Sequence, residues 1–250
     1  MCLILFAWQH DKVFPLVLAA NRDEFYRRPA LPLARWRDDP AILGGRDLHA
    51  GGGWLACHAD GRFAAVTNTR RASLPRLGAK SRGWMIADYL RGRLGPAEYG
   101  AQLVGSEYGG FNLLLGDRRA LYFLSNCDEA GLRRLAPGIY GLSNDTLETP
   151  WPKVVRGKAA FAAALTTLPA PESFFDLLAD HTPAADDDLP SSGVPLEWER
   201  ALSPIFIATP DYGTRASTLL LGRREGGFRM LERSFRPGGS WLEDAVEETG

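Results

Sequence analysis

The chain is 250 residues long and carries 29 basic against 30 acidic residues, a net charge of −1. That balance offers no basic excess for nucleic acid or an anionic membrane surface, and an apolar share of 45% with 24% charged residues excludes disordered and fibrous classes. The 27 glycines and 17 prolines exceed the usual share by about half, which predicts many tight turns between short strands.

Met1 to Ala7 is apolar, but it lacks the basic start of a signal peptide, is too short, and runs into Gln9-His10-Asp11-Lys12 where a cleavage site would sit. No apolar run approaches the roughly 18 residues of a membrane helix, so no membrane span is expected. The three cysteines, Cys2, Cys57 and Cys127, are odd in number and form no CxxC, so no disulfide framework is expected. A cytoplasmic protein is the reading these features favour. The four histidines show no ligand spacing, and no metal site is expected.

Leu3 to Trp8 and Val13 to Ala20 are β-rich apolar runs joined by a polar stretch, a hairpin signature. Pro29 to Gly52 is too polar and punctuated for one element. Gly53 to His58 and Phe63 to Thr67, joined by Ala59-Asp60-Gly61, predict a second hairpin. The spacing of Trp84, Ile86, Ala87, Leu90 and Leu94 predicts a helix over Gly83 to Leu94, with a shorter one from Pro96 to Val104. Strands are expected at Phe111 to Leu115, Ala120 to Ser125 and Gly138 to Ser143.

Pro152 to Leu168, Pro-initiated and alanine-rich, predicts the best helix of the chain, and Ser173 to Ala179 another. Thr182 to Ser192, with Asp186-Asp187-Asp188, reads as a solvated loop. Ile205 to Thr209, Ser217 to Gly222 and Phe228 to Phe235 are expected strands, and residues 243–250 an acidic, mobile tail. Strands, helix pair, strands, helix pair, strands is the order of one α+β domain over residues 1–250, with two stacked sheets and helices outside.

Cys2 is the first candidate for chemistry. Loss of Met1 would give it a free α-amine of pKa about 7.7–8.0, a base within reach of its own thiol. Folding the first hairpin about His10 and Asp11 sets Cys2 opposite residue 20, give or take two. There Asn21-Arg22-Asp23-Glu24 abruptly ends an apolar strand. A guanidinium at that place favours thiolate, and a carboxylate can orient the amine.

Ala19-Ala20-Asn21-Arg22-Asp23-Glu24-Phe25-Tyr26-Arg27-Arg28-Pro29 resembles the signature of the NRDE family, also called the transport and Golgi organisation protein 2 family. Gly44-Gly45-Arg46-Asp47-Leu48, Gly51-Gly52-Gly53-Trp54-Leu55, Ser81-Arg82-Gly83, Phe111-Asn112-Leu113-Leu114, Gly141-Leu142-Ser143-Asn144, Thr149-Pro150-Trp151-Pro152-Lys153-Val154 and Tyr212-Gly213-Thr214-Arg215 extend the resemblance over nearly the whole chain. Cys57-His58 departs from the expected pattern. That resemblance implies a connection with haem mobilisation and acyl-lipid homeostasis without naming a reaction.

The pattern is also distantly similar to the N-terminal-nucleophile hydrolases that cleave bile-salt and penicillin V amides. This similarity implies a four-layer αββα sandwich, Cys2 as nucleophile, Arg22 and Asp23 beside it, Asn68 and Asn144 at the oxyanion, and Arg215 as a later arginine of the site. Trp36, Trp54 and Trp84 are read as core or rim residues, and His10 as solvated.

Two functional readings follow. The first is a cysteine-dependent amidase or acyl-transfer hydrolase, free of cofactor, acting on a small acylated substrate. The second is a non-catalytic carrier of haem or a lipid-like ligand on the same scaffold.

Overall fold

The structure is a computed structural model and describes residues 2–70 and 80–249. The opening hairpin, β1 (Cys2–Trp8) and β2 (Leu16–Phe25), is antiparallel and buried on both faces. Alternation along the strands sends Ile4, Phe6, Trp8, Leu16, Leu18 and Ala20 one way, and Leu3, Leu5, Ala7, Val17 and Ala19 the other. A strand covered on both faces has no polar phase, which is why these runs are unbroken apolar in sequence.

The chain continues through β3 (Ala30–Trp36), β4 (Asp39–Asp47), β5 (Leu55–His58) and β6 (Phe63–Asn68). Helices α1 (Gly83–Arg91) and α2 (Pro96–Gln102) precede β7 (Phe111–Gly116), β8 (Leu121–Ser125), β9 (Arg133–Arg134) and β10 (Gly138–Leu142). Then come α3 (Pro152–Ala164), α4 (Glu172–Leu178), α5 (Leu196–Leu202), β11 (Tyr212–Gly222), β12 (Phe228–Phe235) and β13 (Trp241–Glu248). The first sheet has the order β10-β1-β2-β11-β12-β13 and the second β3-β4-β5-β6-β7-β8-β9.

Three apolar layers hold these sheets. Between them, Phe6, Trp8, Leu18, Leu220 and Met230 of the first sheet meet Leu43, Phe63, Leu114 and Phe123 of the second. Outside the first sheet, Leu5, Val17 and Leu219 pack on Val154, Phe161, Phe174 and Leu178 of α3 and α4. Outside the second, Ala64, Leu113 and Leu115 pack on Met85, Ile86, Tyr89 and Leu90 of α1. Each fully buried aromatic or aliphatic side chain stabilises the fold by about 1.5–3 kcal/mol. The αββα sandwich expected from element order and resemblance is the architecture found.

Some local expectations are corrected. Residues 30–47 form two strands at the edge of the second sheet, where Pro32 is tolerated and the register slips on either side of Ala34–Arg35. Ile205 to Thr209 is not a strand. It runs irregularly, its buried amides met by Asp180 O for Phe206 (2.8 Å) and Thr214 Oγ1 for Ile207 (2.9 Å), with one bridge from Ala208 to Gly213. The acidic tail beyond residue 242 is largely strand. β13 pairs antiparallel along β12, and its carboxylates meet arginines there, Arg229 with Glu248 (3.4 Å) and Arg233 with Asp244 (3.7 Å). No helix among the described residues is long and apolar enough to cross a membrane.

Candidate active site

Cys2 opens β1 directly opposite Arg22 of β2. Strand alternation then turns Cys2 and Arg22 toward the space between the sheets and Asp23 toward the helices. The other neighbour of β1 is β10, and the chain leaving it supplies the next contacts. Ser143 Oγ donates to the Cys2 carbonyl (3.1 Å), and the Cys2 N–H donates to Asn144 Oδ1 (3.2 Å). The second sheet pins this turn. Thr67 Oγ1 donates to Ser143 O (3.0 Å), and Asn112 Nδ2 donates to Asp145 O (2.7 Å) and Thr67 Oγ1 (3.1 Å).

The two asparagines meet, with unequal roles. Asn144 is fully buried, and its Nδ2 donates to Asn68 O (2.9 Å) and Asn68 Oδ1 (3.1 Å). Both amide hydrogens of Asn144 are therefore engaged, and its oxygen holds the Cys2 nitrogen. Asn68 accepts through Oδ1, lines the cleft above Cys2, and its Nδ2 donates to no other described residue. Of the pair, Asn68 is the one whose amide N–H groups are not engaged by another described residue. Asn144 fixes the main chain of Cys2.

Asp23 is 1% exposed and accepts a hydrogen bond from Thr214 Oγ1 (2.8 Å), while Tyr212 OH donates to its main-chain carbonyl (2.9 Å). Burial pushes its carboxyl up, and the positive charge of Lys153 pulls against that. Lys153 itself is buried at the start of α3, donates to Leu202 O (3.1 Å), and is drawn down to about 8 by burial. A buried ion pair, Arg70 Nη1 to Glu199 Oε2 (2.6 Å), lies in the same charged layer, with Arg70 stacked 4.7 Å from Trp151. Burial pushes the Cys2 thiol up, the charge of Asp23 adds to this, and Arg22 pulls it back only weakly. The guanidinium of Arg22 thus acts toward thiolate, as its charge requires, but burial outweighs it and the thiol stands above its ordinary value.

Arg22 is 6% exposed, and its guanidinium carbon sits 4.1 Å above the ring of Trp54, the residue preceding β5. Arg215 is not brought to the thiol. It occupies the bulge between Thr214 and Ala216 and donates through Nη1 to the carbonyls of Phe25 (3.1 Å), Tyr26 (3.3 Å) and Arg28 (3.0 Å), bracing the turn after β2. Arg82, just before α1, instead supplies a second cation to the cleft and feels the charge of Cys2 directly. Sequence reasoning gave roles to neither Arg82 nor Lys153, although both lie in motifs quoted for the family resemblance.

Above Cys2 opens a cleft of about 570 Å³ walled by Arg22, Glu24, Arg28, Asp47, Asn68 and Arg82. Arg28 is paired with Asp47 (2.6 Å). The other wall depends on backbone contact at glycine: a Cβ on Gly52 would lie 2.3 Å from the Gly83 carbonyl carbon, so the loop before β5 and the start of α1 touch main chain to main chain. Among the described residues no group of His, Cys, Asp and Glu is arranged to hold a metal ion.

Known proteins share this architecture. The crystal structure of the C2A mutant of conjugated bile acid hydrolase from Clostridium perfringens superposes with a TM-score of 0.54 at 9% identity, over 99% of this chain and 92% of that one. The N-acylethanolamine-hydrolyzing acid amidase ortholog of Caenorhabditis elegans gives 0.51 at 9% identity, over 88% of this chain and 92% of that one. At such identity the likeness shows the fold, that of N-terminal-nucleophile hydrolases.

In sequence, the chain is 35% identical to the Transport and Golgi organization protein 2 homolog of Bos taurus and 32% identical to that of Homo sapiens, each over 94% of this chain and 93% of the relative. It is 28% identical to Transport and Golgi organization protein 2 of Drosophila melanogaster, over 99% of this chain and 98% of that protein. With the family's sequence profile matching residues 1–237, the chain belongs to the Transport and Golgi organisation 2 family.

Proposed function

We propose that the protein is a cysteine-dependent acyl hydrolase of the N-terminal-nucleophile type, cleaving an amide or thioester of a small acylated compound. One observation carries this reading: the main-chain nitrogen of Cys2 is held by the buried Asn144 Oδ1 at 3.2 Å while its side chain meets the cleft. Once Met1, which lies outside the described residues, is removed, that nitrogen becomes an α-amine already oriented beside its own thiol.

The neutral α-amine takes the thiol proton as sulfur attacks the acyl carbon, and the carbonyl electron pair moves onto oxygen. Asn68 Nδ2 donates to the resulting oxyanion. Collapse expels the leaving amine or thiol with the proton carried by the α-amine, leaving a thioester on Cys2. Water, deprotonated by the same amine, then attacks the thioester carbonyl; the C–S bond breaks, the carboxylic acid leaves, and the ammonium returns its proton to the Cys2 sulfur. Asp23 and Lys153 bear on Cys2 from the helix side, the carboxylate favouring a charged amine and the ammonium of Lys153 opposing it.

The carrier reading draws less support, since the cleft wall is mainly charged and polar and poorly suited to sheathing an apolar ligand. The test is a panel of acyl amides, esters and thioesters on wild type, Cys2→Ser and Asn68→Ala, with intact mass to read Met1 removal. Turnover lost in Cys2→Ser, from protein lacking Met1, supports the hydrolase. Tight haem or lipid binding with no turnover anywhere in the panel moves the assignment to a carrier.

A further inference from the structure

An arginine beside a nucleophile is useful only if its charge and its donors are available, and a buried arginine is usually neutralised by a carboxylate. Arg22 departs from that rule. Among the described residues its guanidinium donates no hydrogen bond and has no carboxylate within ion-pair distance; its one partner is the face of Trp54, 4.1 Å away. A π face holds a guanidinium flat and offsets part of its desolvation, yet leaves the charge in place and all five N–H groups at the edge of the plane.

The ring is itself placed by a glycine. A Cβ at Gly45 of β4 would fall 2.0 Å from Trp54 Cζ2, so the indole lies directly on the Gly45 backbone. Gly45, Trp54 and Arg22 therefore form a stack from the second sheet to the first, ending opposite Cys2.

We propose that Trp54, seated on Gly45, is a positioning residue that keeps Arg22 unpaired and aimed at the Cys2 end of the cleft. The inference rests on the cysteine-centred reading above, but its test needs no turnover. Other charged groups face this pair and stay constant in the comparison. Asp23, Arg82, Lys153 and Tyr212 act on Cys2, and Glu232 of β12 and Arg215 of β11 face Arg22.

The readout is the pH profile of Cys2 alkylation by iodoacetamide, mapped by mass spectrometry, in wild type, Trp54→Leu, Trp54→Phe, Gly45→Ala, Arg22→Gln and the Trp54→Leu/Arg22→Gln double variant. Thermal melts confirm that each is folded. Loss of a positive charge from the thiol's surroundings raises its midpoint, and one pH unit is a tenfold fall in rate below that midpoint.

Trp54→Leu should move the profile up toward that of Arg22→Gln, and the double variant should add little to either. Trp54→Phe, which keeps a π face, should stay near wild type. Gly45→Ala, which keeps the indole but displaces it, should behave like Trp54→Leu. A wild-type profile in folded Trp54→Leu and Gly45→Ala overturns the proposal, as does full additivity in the double variant. Should Trp54→Leu not fold, Gly45→Ala and Trp54→Phe decide alone. Coupled profiles in a protein that hydrolyses nothing would uphold this inference while removing the hydrolase reading.

Discussion

Glu232 gives the sharpest test of the charge layout between the sheets. It sits on β12, is 1% exposed, and accepts from the Leu33 N–H (2.7 Å) of the other sheet and from Thr218 Oγ1 (3.0 Å). Burial raises its carboxyl from the ordinary 4.5 to about 7. Between those values the folded chain keeps a proton that the unfolded chain has lost. Stability is therefore greatest below pH 4.5 as far as this group is concerned, and falls as pH rises to about 7. A shift of that size corresponds to about 3 kcal/mol, most of which falls between pH 5 and pH 8.

Glu232→Gln keeps an oxygen for Leu33 and cannot ionise, while the Thr218 hydroxyl can turn to accept. Urea unfolding of wild type and variant at pH 5, 6, 7 and 8 isolates this one group, because all other titrations cancel in the difference. The variant should gain about 2–3 kcal/mol relative to wild type across that range, about 5–10 °C in melting temperature for a chain of this size. A difference constant with pH would show that Glu232 ionises normally, and the account of a desolvated carboxyl between the sheets would be wrong.

The asparagines should separate by assay. Asn68→Ala should lower turnover by about 10²–10³ with little change in stability, whereas Asn144→Ala, which strips hydrogen bonds from a buried cluster, should also cost about 1–3 kcal/mol in urea unfolding. Lys153, drawn down to about 8, binds its proton less firmly folded than unfolded, so wild-type stability should rise between pH 8 and 10.5. That rise should be missing in Lys153→Met. Cys57 is fully buried and burial pushes its thiol far up, so native protein should show no iodoacetamide adduct there at neutral pH while urea-unfolded protein does. Phe161→Ala, beneath Phe174 at a ring distance of 5.6 Å, should cost about 3–5 kcal/mol.

What could be read from the sequence was mostly what neighbours in sequence decide. Hairpin arithmetic put Cys2 within two residues of its partner, because a single turn fixes that register. The layered fold followed from alternating strand and helix groups. The strands that went unseen were those whose local composition argues against strands. Residues 30–47 break their apolar pattern with Pro32, Arg35, Arg37, Pro40 and Arg46, and the acidic residues of β13 become strand by pairing along β12. The same limit applies at the site. Arg82 and Lys153 reach it from segments 80 and about 150 residues away from Cys2, and no local pattern marks which face a lone cation on a helix start will take. Arg215 was placed by resemblance alone, and the bulge in β11 turns it to the Phe25–Arg28 turn instead.

The order of strands in the first sheet also governs when the site can come into being. β2 lies between β1 and β11, and Asp23 finds Thr214 only when residues from the far end of the chain arrive. At a synthesis rate of about 5–20 residues per second, the 191 positions separating that pair represent about 10–40 s during which the first strands exist without their central neighbour. Through that interval an apolar hairpin with two uncovered faces stands open to wrong pairing. Such non-local joining makes for slow folding. The nascent chain thus carries Cys2 on its first-made strand, and the layer that encloses it among the last.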